Sequence, residues 1–374
     1  KKLMKRILVF GMNQNPGGVE SFIMNYFREF NREKLALDFL CNSNDKIAYE
    51  DELISKGARV FHLTARSKNP VRYYWEMYRF FKKYASDYQA IWVNINSLAN
   101  IDYLKFARYF GIPVRIVHSH NSQNMDTKLR EKLHNHNRDR IEKWATDFWA
   151  CSHEAAKWFY NQETIGKVKI IPNAINMNAS IFYSEARDKI RTDYTLDNKF
   201  VLGHVGRLHF QKNQEFMIRV IAKLQEFRND VCLVLVGQGE DLDKLKLLAE
   251  ELSVQDKVYF VGVQSNISEW LSAFDLFFFP SKFEGLPLAP LEAQANGLPI
   301  LLSEEAMPQE AKINENIFYY SLKADEERWA KFLDEMIRTT TRLDYEDIRD
   351  NFEKSGYDIK IAAKNLEKQL LELV

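Results

Sequence analysis

"KFVLGHVGRLHFQKNQEFMIRVIAKLQEF", residues 199–227, starts as an apolar run typical of a buried parallel strand and ends with helical apolar spacing. A glycine turn and two cations, Arg207 and Lys212, lie between the two. The chain begins in the same way: "KRILVF" (5–10) leads into the glycine-rich "GMNQNPGGVE" (11–20) and the helical "SFIMNYFREF". After the first start, "LALDFLC" (35–41), "ARVFHL" (58–63), "AIWVNIN" (90–96), "PVRIVHSH" (113–120), "DFWACS" (147–152) and "KVKIIPNAI" (167–175) read as strands with helical stretches mostly between them. After the second come "VCLVLVGQGE" (231–240), "KVYFVG" (257–262), "LFFFPS" (276–281) and "PILLSE" (299–304). Strands alternating with helices imply parallel sheets covered on both faces, and the restart implies two of them. The expected fold class is therefore α/β, two Rossmann-like doubly wound domains. The polar stretch 183–199 is the expected join, dividing residues 1–190 from 191–358. An amphipathic helix, 359–374, either packs locally or reaches back to the first domain.

The totals agree with this organisation. A chain of 374 residues with 46% hydrophobic and 28% charged residues suits two globular domains. Its three cysteines, Cys41, Cys151 and Cys232, have no paired spacing and read as small buried hydrophobes in a reducing compartment. Nothing resembles a signal peptide, and no apolar run nears the roughly 20 residues that span a bilayer, so the expected location is cytoplasmic. The net charge of zero hides an asymmetry: residues 1–195 hold 31 Lys and Arg against 21 Asp and Glu, and the remainder holds the reverse, 21 against 31. An anionic membrane surface, nucleic acid and phosphorylated ligands are all open to the basic half. Within it "RYYWEMYRFFKKY" (72–84) is aromatic and basic at helical spacing, suited to a membrane surface or to packing by its aromatics.

Open parallel sheets bind ligands at the carboxyl ends of their strands, and the candidate chemistry gathers there. Arg207 and Lys212 follow a strand and precede a helix, a place where two cations and free N–H groups suit a diphosphate. In "FEGLPLAPLEAQANG" (283–297), Glu284 and Glu292 would lie about 80° apart on one unbroken helix. Pro287 and Pro290 place the helix start near themselves, which leaves Glu284 on the preceding loop and Glu292 in the opening turns. Acceptor carboxylates, helix N–H groups and nearby cations together describe a site for a nucleotide sugar; the alternative is plain complementarity to the helix dipole. "NPGGVES" (15–21) is either an anion cradle or a tight turn, and it lacks the GxGxxG spacing that would give Asp38 a ribose-binding role. His118 and His120 end a strand as wall residues or as ligands. "HNHN" (134–137) reads as solvated surface, and the DxD triplet of "EDLDK" (240–244) as acids at a helix start.

The segments "GRLHFQKN", "VGQGE", "VYFVG" and "FFFPSKFEGLPLAPLEAQANGLPI", in this order, resemble the retaining glycosyltransferases of family 4, with Glu284 and Glu292 as their E-x7-E motif and "IPNAI" (171–175) similar to I-P-N-G. The resemblance covers essentially the whole chain and is strongest to bacterial exopolysaccharide and capsule enzymes. It implies the GT-B fold, two facing domains around a crevice, with the first binding acceptor and the second the nucleotide-sugar donor.

The resemblance also implies roles. Arg207 and Lys212 bind the donor diphosphate, Glu284 the donor sugar, and Glu292 the ribose. The N–H groups of Gly285, Leu286 and Leu288 meet sugar and phosphate; Gly17 and Gly18 shape the crevice; the base rests near Gly262 and Val263. Asn96, His118 and Asn173 fall in the acceptor or sugar vicinity. Many relatives carry a histidine at the end of the fourth strand, where this chain has Asn94 and Asn96, so His120 or His118 is the substitute for any acid–base step. The implied reaction is hexosyl or N-acetylhexosaminyl transfer from a nucleotide-diphosphate sugar, UDP-sugar by family precedent, to a saccharide or lipid-linked acceptor. It needs no metal or other cofactor and no nucleic acid, and peripheral contact with the anionic inner membrane falls to the basic first domain. A sugar epimerase or phosphorylase on the same scaffold, and a partner subunit with a relict site, are the competing readings.

Overall fold

The computed structural model describes residues 4–121, 127–284 and 287–374. It divides into two units, Lys1–Ala174 with Ile359–Val374, and Ile175–Asp358. In the first unit the strands are β1 (Lys5–Phe10), β2 (Leu35–Cys41), β3 (Val60–His62), β4 (Ala90–Ile95), β5 (Val114–Ser119), β6 (Asp147–Ala150) and β7 (Lys169–Ile170). They form one parallel sheet in the order β3-β2-β1-β4-β5-β6-β7. The second unit holds β8 (Phe200–Val205), β9 (Val231–Val236), β10 (Val258–Gly262), β11 (Leu276–Phe279), β12 (Ile300–Ser303) and β13 (Ile317–Tyr320), also parallel, in the order β10-β9-β8-β11-β12-β13. The winding reverses between β1 and β4, and again between β8 and β11, so each unit has a switch point at which such sheets take ligands. β9, "VCLVLV", is buried at every position, as a strand covered on both faces must be.

The structure moves the domain boundary. The divide comes after Ala174 rather than at 190/191, because helix Ser184–Asp193 belongs to the second unit. Arg187 and Arg191 from that helix bind Asp275 at 2.5 and 3.1 Å and cap the carbonyls of residues 272–274, contacts that a polar composition does not reveal. The helix Ile359–Leu373 returns to the first unit, where Ile359, Ala362, Ala363, Leu366 and Leu370 join the core of Phe22, Phe27 and Trp92. Burying each of the larger aliphatics is worth roughly 2 kcal/mol. The last strand read in the first half shrinks to two residues because Pro172 has no N–H for the ladder. β13, with a partly exposed apolar pattern at the sheet edge, is an addition to the strands read from sequence.

Two loops at the carboxyl ends of β8 and β9 touch through glycine. Gly237 has φ +135°, and a Cβ there would stand 2.0 Å from the Gly206 carbonyl oxygen. Gly237→Ala should therefore destabilise the second unit by about 3 kcal/mol, read as a lowered unfolding midpoint in urea. An unchanged midpoint would mean that the two loops separate at little cost.

The three cysteines are buried, and burial pushes their thiols up to about 12. Among the described residues no helix is long and apolar enough to cross a membrane.

Candidate active site

The second unit builds its site where β8 and β11 release the chain. His204, fully buried on β8, donates through Nδ1 to the Phe278 carbonyl of β11 at 3.1 Å. That bond sets the tautomer and leaves Nε2 to accept from the Gln214 amide at 3.2 Å. The same amide nitrogen donates to the Arg207 carbonyl at 2.8 Å. Burial drives the imidazole's pKa down to about 3, so His204 is a neutral strut. Asn213 adopts a left-handed conformation, φ +64°, ahead of helix Gln214–Leu224, and its amide donates to the Pro280 carbonyl at 3.0 Å. Gln211 and residues 282–283 exchange two further bonds, Gln211 to the Phe283 carbonyl at 2.9 Å and the Lys282 N–H to the Gln211 carbonyl at 2.8 Å. Two loops 70 residues apart in sequence are thereby held as one.

Lys212 and Glu284 are the product of that stitching. Their Nζ and Oε1 atoms stand 2.5 Å apart with side-chain exposures of 20% and 8%, and Lys212 also lies 5.3 Å from the centre of the Phe279 ring. Burial raises the Glu284 carboxyl above its ordinary range against the pull of Lys212. Helix Leu288–Ala295 begins directly after Pro287, with Pro290 in its first turn. The N–H groups of Leu288 and Ala289 head this helix without an acceptor among the described residues. Glu292, half-buried in the next turn, has no side-chain partner among the described residues, and burial raises it to about 7. Gly285 and Leu286 lie outside the described residues.

Arg207 stands apart from this pair. Its guanidinium is exposed and binds Glu240 at 3.0 and 3.2 Å, and His209 approaches the same carboxylate at 3.4 Å. Gly262 turns β10 with φ +70° and open space where a side chain would be, and Val263 after it is exposed. Asp241 occupies the position before helix Leu242–Glu251. Among the described residues no group of three or more His, Cys, Asp or Glu could hold a metal ion.

In the first unit, Gly17 caps helix Gly18–Glu29, and nothing lies within 4 Å of the Cβ position of Gly18. Glu20 folds back on the loop, accepting from the Asn13 N–H at 3.1 Å and its side-chain amide at 2.9 Å. A resident carboxylate thus occupies the N–H that an anion would need at Asn13. At the end of β5, His120 donates from Nε2 to the Asn94 Oδ1 at 2.8 Å, because an amide oxygen only accepts. Asn94 in turn donates to the Phe10 carbonyl at 3.3 Å. His118, fully buried, accepts the Trp92 indole N–H at 3.2 Å and lies 4.2 Å from the His120 ring. Burial holds both histidines neutral, His120 at about 3. Asn96 is exposed and Asn173 is buried. His134 is buried, not solvated: its Nδ1 accepts the Leu98 N–H at 3.0 Å and its ring stacks on Trp158. Asp38 is structural, bound by Arg6, Arg59 and Tyr88; burial alone would raise its pKa, but the Arg59 and Arg6 hydrogen bonds lower it.

Set against known proteins, residues 16–179 match the family model described as Glycosyltransferase Family 4, and residues 186–357 match that described as Glycosyl transferases group 1. The chain is 30% identical over 309 residues to the "Putative glycosyltransferase EpsF" of Bacillus subtilis (strain 168), an alignment covering 80% of this chain and 79% of that protein. The chain is a family 4 glycosyltransferase. It is 29% identical over 213 residues, 53% of each chain, to the Escherichia coli UDP-Gal:alpha-D-GlcNAc-diphosphoundecaprenol alpha-1,3-galactosyltransferase. The glycosyltransferase shares its fold, GT-B, with Anabaena Alr3699/HepE crystallised with UDP, at TM-score 0.79 and 18% identity over 99% of this chain and all of that one. A TM-score of 0.72 and 18% identity relate it to the lipopolysaccharide outer core galactosyltransferase WaaB in its apo form, again over 99% and 100% of the two chains.

Four residues that tie these loops together are not singled out by the sequence reading: His204, Gln211, Asn213 and Gln214. One signal was present. A histidine inside the apolar strand "FVLGHV" must find hydrogen-bond partners when buried, and its partners define the loop geometry.

Proposed function

We propose that this chain transfers a hexosyl or N-acetylhexosaminyl group from a UDP-sugar to a saccharide or lipid-linked acceptor in bacterial surface polysaccharide synthesis, with retention of anomeric configuration. The carrying observation is the Lys212–Glu284 ion pair, together with a Glu292 carboxylate that has no side-chain partner among the described residues and two helix N–H groups that have no acceptor among them. Lys212 supplies positive charge where the leaving diphosphate develops negative charge, which lowers the barrier without calling on a metal. Glu284 accepts from a hydroxyl of the donor sugar, and its ion pair aims the lysine. Glu292 accepts from the ribose hydroxyls, and the Leu288 N–H faces phosphate or sugar oxygen. Arg207 leaves Glu240 to bind the diphosphate, an exchange of one anion for another at an exposed site. The first unit takes the acceptor, with His120 held by Asn94 as a neutral wall residue. The UDP and UDP-glucose bound in HepE crystals, and the lipid-diphosphate acceptor in the name of the E. coli relative, support the donor and acceptor classes.

A thermal-shift screen of nucleotide sugars tests this directly, since a ligand of the folded form raises stability by mass action. UDP-sugars should raise the unfolding temperature, and GDP-, ADP- or CMP-sugars should not. Transfer from the stabilising donor should then appear with an acceptor panel. No shift with any UDP-sugar, or a larger one with another nucleotide, would sink the donor assignment.

A further inference from the structure

We propose that the second unit carries a saccharide subsite outside the donor site, a cavity of about 260 Å³ that takes one neutral hexopyranose ring of the acceptor or product chain. The inference rests on the saccharide acceptor of the proposed function. Helices Gln214–Leu224, Leu242–Glu251 and Glu326–Thr339 follow β8, β9 and β13, so their N-terminal ends share the carboxyl edge of one parallel sheet. The cavity lies among those ends, with Glu215, Asp241 and Glu326 in its lining. Phe210 and Asn213 also line it, whereas Lys212 between them turns to Glu284. Neither Lys212, Glu284 nor Glu292 contributes to the cavity. The segment that presents Lys212 to the donor therefore has a second side with its own set of side chains.

A sugar ring offers an apolar C–H face and a rim of hydroxyls, and the cavity holds a match for each. Phe210, 53% exposed, is a large aromatic surface in the lining, with the His209 ring at 4.4 Å and the Phe283 ring at 6.0 Å. Asp241 and Glu326 are partly buried, and among the described residues their carboxylates have no hydrogen-bond or ion-pair partner. Lys282, whose ammonium lies 5.8 Å from the centre of the Phe210 ring, has no ion-pair partner among them either. Two acceptors and one donor are thus open to hydroxyls. The third acid, Glu215, is already held by Arg219 at 3.1 Å and Lys244 at 2.8 Å. Arg219, Lys244 and Lys282 balance the three acids, which favours a neutral, hydroxyl-rich ligand over a phosphate. The volume falls just below the roughly 300 Å³ at which pockets for drug-sized ligands begin, which leaves room for one ring.

Saturation-transfer NMR on the full chain tests the proposal, with the methyl glycosides of glucose, galactose and N-acetylglucosamine as probes. At least one should bind with a Kd on the order of 1 mM. Phe210→Ala should weaken it about tenfold and Phe210→Tyr should retain it; Asp241→Asn with Glu326→Gln should weaken it by tenfold or more. Glu284→Gln should leave glycoside binding unchanged. In transfer assays Phe210→Ala should raise the KM of a long-chain acceptor about tenfold, with kcat and the use of a monosaccharide acceptor unchanged. Glycoside binding is read without a donor, so it holds or fails independently of the UDP-sugar assignment. No binding of any glycoside, equal binding by Phe210→Ala, or displacement of the glycoside by inorganic phosphate would overturn the proposal. So would binding lost in Glu284→Gln, which would put the sugar in the donor site, or a long-chain KM that Phe210→Ala leaves as it was.

Discussion

Lys212→Ala lowers kcat for sugar transfer by about 100- to 1,000-fold, the effect of removing one preorganised positive group from a developing charge, about 3–4 kcal/mol. The loss falls on kcat more than on KM, because the charge on the diphosphate grows as the glycosidic bond breaks. The variant has a structural effect as well. Glu284 has 8% side-chain exposure, and without the ammonium 2.5 Å away its carboxyl titrates still higher. Breaking such a pair from one side is commonly more damaging than removing both partners. The two effects separate in a double-mutant cycle of Lys212→Met and Glu284→Gln. Urea unfolding should show the double variant more stable than Lys212→Met alone, while transfer stays depressed in both. Transfer within tenfold of wild type in the double variant would show that the lysine's role is to neutralise Glu284, not to stabilise the leaving group.

Glu292→Gln has opposite effects on the free protein and on the complex. The Glu292 pKa stands at about 7 against an ordinary 4.5, with burial as the cause. An acid with a raised folded-state pKa holds its proton more tightly in the native state than in the unfolded one. Stability therefore falls as pH rises from about 4.5 to about 7, and the penalty is complete above that, on the order of 3 kcal/mol. Glutamine removes the penalty, so the variant should unfold a few degrees higher than wild type at pH 8 and at the same temperature at pH 4. A ribose hydroxyl donating to Glu292 favours the carboxylate, so UDP binding by the wild type should strengthen as pH rises through 7. The variant should bind UDP about 10- to 100-fold more weakly at pH 8, the range for losing a hydrogen bond to a charged group. Calorimetric titration of UDP at several pH values reads both quantities. A variant that keeps wild-type UDP affinity and its pH slope would remove Glu292 from the nucleotide site.

Much of this was legible from local pattern. Strand and helix periods, the restart at residue 199, and the helix start beside Pro287 and Pro290 all depend on neighbours within a few residues, where steric and hydrogen-bond rules act directly. The two prolines placed Glu284 ahead of that helix and Glu292 within it for the same reason. Partner choice was not legible. That Lys212 meets Glu284, while Arg207 turns to Glu240, depends on bonds from His204, Asn213 and Gln211 across 67 to 74 residues. The burial of His134 and the capture of helix Ser184–Asp193 by Asp275 are likewise long-range. So is the return of Ile359–Leu373 to the first core. Composition marks such residues only as polar or amphipathic. Their place was decided in the tertiary structure, where each buried donor, acceptor and apolar face had to find a partner distant in sequence.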